Sequence, residues 1–151
     1  MKKLAFILIP LAFLILASDS VLNQPASAQP DLPFSPAVKA GGFIFVSGHI
    51  GVDPKTGEFA GNDIASQTRQ TLENIDVLLK KEYRSSLNAV VKTTVFLKSM
   101  DDYAKMNEVY ASFFPGRKPA RSTVEVSRLA LGALIEIDAI VEAPGSLPVK
   151  Q

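Results

Sequence analysis

No cysteine and no tryptophan occur in the 151 residues, and histidine occurs once, at His49. The missing thiols exclude disulfide frameworks, thiolate zinc sites, iron–sulfur ligation and cysteine nucleophiles together. A lone imidazole excludes a multi-histidine metal centre. An excess of one charge is missing too. Sixteen Lys+Arg stand against 15 Asp+Glu, a formal net charge of +1, so no basic field points to nucleic acid. No G-x-S-x-G elbow, P-loop or dinucleotide fingerprint is present. With 47% hydrophobic and 21% charged residues, what is there fits one ordinary domain with enough chain to bury a core.

Residues 1–28 differ in composition from the rest. Met1-Lys2-Lys3 is a short basic start, Leu4 to Ala17 is an apolar run of 14 residues interrupted by Pro10, and Ala26-Ser27-Ala28 is an A-x-A pattern. The run is too short to span a bilayer comfortably. This three-part pattern predicts a signal peptide cleaved after Ala28 and an exported protein, periplasmic or secreted, without membrane attachment after cleavage. The alternative is an uncleaved amphiphilic anchor. Residues 29–151 then make a single domain with 14 basic and 14 acidic side chains. That neutrality argues against nucleic acid or an anionic membrane as partner.

Within that domain the periodicity switches several times. Ala37-Val38-Lys39 and Phe43 to Ser47 flank Gly41-Gly42, a hairpin signal. Asp53 to Gly57 reads as a turn-rich loop. A helix is expected from a cap at Asn62 or Asp63 to about Tyr83, with Ile64, Leu72, Ile75, Leu78 and Leu79 on one stripe. Ala89 to Lys98 is β-branched and strand-like. Ser99 to Asp102 matches a capping box, and a second helix is expected to run to about Phe114, before Pro115-Gly116. Ser122 to Ser127 and Ala133 to Val141 alternate as strands. The order ββαβαββ predicts an α+β two-layer sandwich, a mixed sheet with two helices on one face. Two helices cover one face only, while Phe43, Phe45, Val95, Leu97, Val124, Val126, Ile135 and Ile137 supply apolar residues to several strands. An apolar uncovered face would be buried against another copy of the chain.

Few residues suggest chemistry. Arg121, Thr123 and Glu125 share one face of their strand, and Leu134, Glu136, Asp138 and Ile140 share one face of theirs. By residue type alone Arg121 reads equally as a solvated or ion-paired arginine, and mid-strand carboxylates mark a solvent face. Ser47 and His49 would lie on one face of a regular strand, yet such neighbours lack the geometry of a catalytic triad.

Several segments taken together resemble the RidA/YjgF family of enamine/imine deaminases. They are Phe34 to Gly48, Gln67 to Ile75, Val91 to Leu97, Pro119-Ala-Arg-Ser-Thr-Val-Glu-Val126 and Ile135 to Ile140. The match runs across nearly all of residues 32–142, and Pro-Ala-Arg-Ser is its most specific part. The resemblance implies a chorismate-mutase-like fold and a homotrimer whose sheets line a central barrel, with active sites between subunits. It also implies hydrolysis of 2-aminoacrylate-like 2-imino acids to 2-oxo acids and ammonia, with no metal or organic cofactor. On this chain the family's carboxylate-binding arginine falls at Arg121 and its water-activating glutamate at Glu136. Pocket positions fall at Ser47, Asn107, Phe34 and Thr123. Three residues depart from the family pattern: Phe34 replaces a common tyrosine, Thr123 a frequent cysteine and His49 the usual glutamine. The alternative reading is a non-catalytic module that binds small carboxylates or acts like a chaperone. Ribonuclease activity is also reported in the family, but the neutral charge counts against RNA.

Overall fold

The structure is a computed structural model that describes residues 32–145. The leader, its cleavage site and the last six residues lie outside the described residues. Strands β1 (Ala37–Ala40) and β2 (Phe43–Ile50) are followed by helix α1 (Ile64–Tyr83) and strand β3 (Val90–Leu97). Helix α2 (Tyr103–Phe113) and strands β4 (Ala120–Glu125) and β5 (Ile135–Glu142) complete the order read from the sequence. The sheet runs β1-β2-β5-β3-β4, with only the β3–β4 pair parallel, and both helices lie on one face. This is the two-layer α+β sandwich.

Local chemistry explains the elements. The β1–β2 turn uses Gly41 at φ 56° and Gly42 at φ 83°, a left-handed region that side chains disfavour. Asp63 caps α1, its carboxylate accepting from the Ser66 N–H. Ser99 behaves differently from the expected capping box. Its hydroxyl accepts from the Asp101 N–H and caps a short 3-10 turn, Met100–Asp102, so α2 starts one turn later.

Leu72, Ile75 and Leu79 of α1 are fully buried against Val95, Leu97, Ile135 and Ile137 of the sheet. Those four sheet residues, expected among the candidates for an uncovered apolar face, are therefore core. Phe45 and Val124 do stand exposed, at 46% and 43%. The helical stripe is also more polar than its pattern suggested, because Gln67, Thr68 and Thr71 are buried in it. Gln67 bridges layers: its amide donates to the Gly61 carbonyl and accepts from the Leu134 N–H. Thr68 and Thr71 donate to the carbonyls of Ile64 and Gln67, so no hydroxyl there is left unpaired.

Candidate functional site

Strand β5 alternates strictly. Ile135, Ile137, Ala139 and Val141 are buried under the helices, and Glu136, Asp138 and Ile140 face the other way. On that open face a groove of about 540 Å³ is lined by Phe34, Phe45 and Ile140 on its apolar side. Ser47, Gly48, Lys92, Thr94, Glu136 and Asp138 line the polar side. Asp138 accepts from the Thr94 N–H at 3.0 Å, and Lys92 Nζ donates to the Thr94 hydroxyl at 3.3 Å. Burial pushes the Glu136 carboxyl up from its ordinary value, and the neighbouring Asp138 charge adds to the rise. A carboxylate raised this way is a stronger base.

Ser47 pins the chain that leads into the fold. Its hydroxyl donates to the Ser35 carbonyl at 2.7 Å and its N–H to the Pro36 carbonyl at 3.0 Å. Those two bonds hold the segment carrying Phe34, which forms part of the groove wall. His49 does not join Ser47. The register of β2 against β5 shifts between Val46 and His49, and His49 pairs with the core residue Ile137. Desolvation lowers the imidazole's pKa, so His49 is neutral at pH 7. The regular-strand expectation for Ser47 and His49 fails at this bulge.

Arg121 belongs to a second cluster. In the parallel β3–β4 ladder it lies beside Thr93, whose buried hydroxyl bonds the Tyr110 hydroxyl of α2 at 2.7 Å. Arg121 therefore points to the helical side. Its guanidinium carbon lies 4.7 Å from the Tyr110 ring centre and 5.7 Å from that of Tyr103, within cation–π range. One guanidinium nitrogen donates to the Tyr103 hydroxyl at 3.3 Å. Hydrogen bonding by Asn107, and then by Arg121, lowers the Tyr103 pKa. Arg121 makes no ion pair among the described residues. Thr123 follows on the same face, and its buried Oγ1 has no hydrogen-bond partner among the described residues.

The six site residues thus separate into two groups, Phe34, Ser47 and Glu136 on the open face and Asn107, Arg121 and Thr123 on the helical side. Residues of opposite parity on β3 show the division, since Thr93 neighbours Arg121 while Phe96 pairs with Glu136. One chain does not bring Arg121 and Glu136 together. Sequence reasoning missed Lys92, Thr94, Tyr103 and Tyr110. Tyr103, Asn107 and Tyr110 stand at helical spacing on α2, which would have signalled a shared face. Lys92 and Thr94 alternate with Thr93 and Val95, the same signal in a strand. Among the described residues no group of three or more His, Asp or Glu side chains could hold a metal ion.

A family model described as Endoribonuclease L-PSP matches residues 24–143. A RutC family protein of Pyrococcus horikoshii is 57% identical over 120 residues, covering 80% of this chain and 94% of that protein. The 2-iminobutanoate/2-iminopropanoate deaminase of Mus musculus is 38% identical over 113 residues, covering 74% of this chain and 83% of that protein. The crystal structure of the YjgF gene product from E. coli aligns with a TM-score of 0.69 at 42% identity, covering 73% of this chain and 87% of that one. The sandwich described above is the chorismate-mutase-like fold of these relatives.

Proposed function

The chain belongs to the endoribonuclease L-PSP family, which includes the RidA/YjgF proteins, and on that premise we propose that it is an exported deaminase of 2-imino acids. The observation that carries this reading is Arg121. A guanidinium set against two tyrosine rings and lacking any carboxylate partner among the described residues is a receptor for an outside anion rather than half of a structural ion pair. Its planar fork grips the substrate carboxylate bidentately and fixes the adjoining imino carbon. Glu136 orients a water and takes its proton as the water oxygen bonds to that carbon. The C=N double bond becomes a single bond in a tetrahedral adduct, and Glu136 passes its proton to the nitrogen. Loss of the hydroxyl proton as the C–N bond breaks releases ammonia and leaves the carbonyl of a 2-oxo acid. Orientation contributes most, because an imine is already electrophilic.

Phe34, Ser47, Asn107 and Thr123 complete the substrate pocket in this reading. Thr123 offers its unpartnered hydroxyl; Ser47 acts by holding the Phe34 segment. Because Arg121 and Glu136 point to opposite sides of one sheet, the pocket forms between copies, Arg121 from one and Glu136 from another, in a homotrimer. The exposed Val38, Phe45 and Val124 support that assembly. Export and cleavage after Ala28 rest on the basic start, apolar run and A-x-A pattern of the leader.

The test is release of ammonia and 2-oxo acid from imino acids generated in situ by an amino-acid oxidase. Wild type accelerates release, Arg121→Ala abolishes the acceleration, and Glu136→Ala lowers kcat on the order of 1,000-fold, leaving a measurable residue. No acceleration across several side chains overturns the deaminase. Saturable carboxylate binding that disappears in Arg121→Ala would then identify a non-catalytic binding module.

A further inference from the structure

Gly48 sits in the irregular stretch of β2 between Val46 and His49, opposite the part of β5 that carries Asp138 and Glu136. Its φ is not positive, so backbone freedom does not explain a glycine there. Space does. A Cβ built on Gly48 falls onto Glu136 Oε1, 2.8 Å from Cδ and 3.0 Å from Cγ. The Glu136 carboxylate occupies the place a side chain at position 48 would take. The Ser47 N–H and hydroxyl, bonded to Pro36 and Ser35, tie down the neighbouring backbone, so the strand resists moving away. What yields to an added methyl group is the Glu136 side chain.

We infer that Gly48 is a positioning residue for Glu136: its missing side chain leaves the space in which the carboxylate sits in the groove. The inference rests on the deaminase reading for its kinetic part and on geometry alone for its structural part. Gly51, nearby in the chain, supplies the contrast. A Cβ there meets the Gln67 backbone, with Cα and carbonyl oxygen both at 2.6 Å. Helix α1 would have to shift to admit it, so Gly51 serves packing and Gly48 serves the groove.

The experiment compares Gly48→Ala, Gly51→Ala and Gly48→Ala/Glu136→Ala with wild type and Glu136→Ala. Gly48→Ala keeps the wild-type unfolding midpoint, whereas Gly51→Ala lowers it. Carbon-13 NMR titration of the Glu136 carboxyl shows its midpoint changed in Gly48→Ala. In turnover of in-situ imines, Gly48→Ala lowers kcat about 100-fold, the scale of a misplaced catalytic group, and leaves KM unchanged because Arg121 still holds the carboxylate. In the Glu136→Ala background the added alanine has no further effect. An unchanged titration, a Gly48→Ala protein that unfolds in both backgrounds, or an equal loss with and without Glu136 overturns the inference. If wild type turns over no imine, the titration still decides the structural part, separating this failure from that of the deaminase.

Discussion

Ile137 and Glu136 are neighbours on β5, yet one is fully buried beneath the helices and the other stands half-exposed in a groove with its carboxyl raised. The two faces of β3 and β5 differ in the same way along both strands. Under α1 and α2, the β3 and β5 side chains that form the core are almost completely removed from water, and each stabilises the fold by roughly 1.5–3 kcal/mol of transfer free energy. On the open face two carboxylates and a lysine sit among Phe45, Phe96 and Ile140. That face contributes less to stability and holds a group whose charged form is disfavoured. The β3 and β5 side chains of the covered face keep the chain folded, and the open face holds the proposed base, Glu136, at some cost.

Neighbouring substitutions on opposite faces break the comparison most sharply. Glu136→Gln lowers kcat on the order of 1,000-fold, as loss of a general base does. It also raises stability at pH 7. The sign follows from titration. The folded carboxyl titrates above its ordinary 4.5, so the native state binds more protons and stability falls as pH rises through that window. Neutralising the side chain removes the loss. Ile137→Ala acts in reverse, costing about 3 kcal/mol in urea unfolding and leaving the folded fraction active. Equal effects of the two variants on stability would erase the distinction between faces.

Phe45→Ser tests what the open face is for. It sits on the rim of the groove and is 46% exposed. The change leaves the monomer's stability within about 1 kcal/mol but weakens association in sedimentation measurements, with turnover falling in parallel. The smallest effect is expected at His49. Its imidazole is held neutral by burial, so the unfolded chain binds more protons and wild-type stability declines as pH falls through the ordinary value of 6.5. His49→Gln flattens that part of the stability curve, read from unfolding midpoints between pH 5 and 8.

Much of this architecture was legible in local sequence. Alternation identified the two faces of β5, and Asn62-Asp63 marked the start of α1, with Asp63 making the cap. Gly41-Gly42 marked the first hairpin. Legibility ended where chain segments distant in sequence meet. The β2 bulge depends on how β5 lies alongside, so the separation of Ser47 from His49 was not visible from spacing. Gln67 lies outside the apolar stripe read for α1, and its burial rests on partners beyond the helix, Gly61 and Leu134. The six candidate residues came from family resemblance, but their division between two faces follows from strand pairing, which no local pattern records.

In the proposed reading, that division makes the sheet a partition between a receptor for anions and a base for water. If each pocket draws one from either side of a subunit contact, catalytic capacity is a property of encounters between chains. Specific activity then depends on protein concentration even where every chain is folded. Dilution acts as an inhibitor, and the amount delivered to a compartment sets how much of it is enzyme at all.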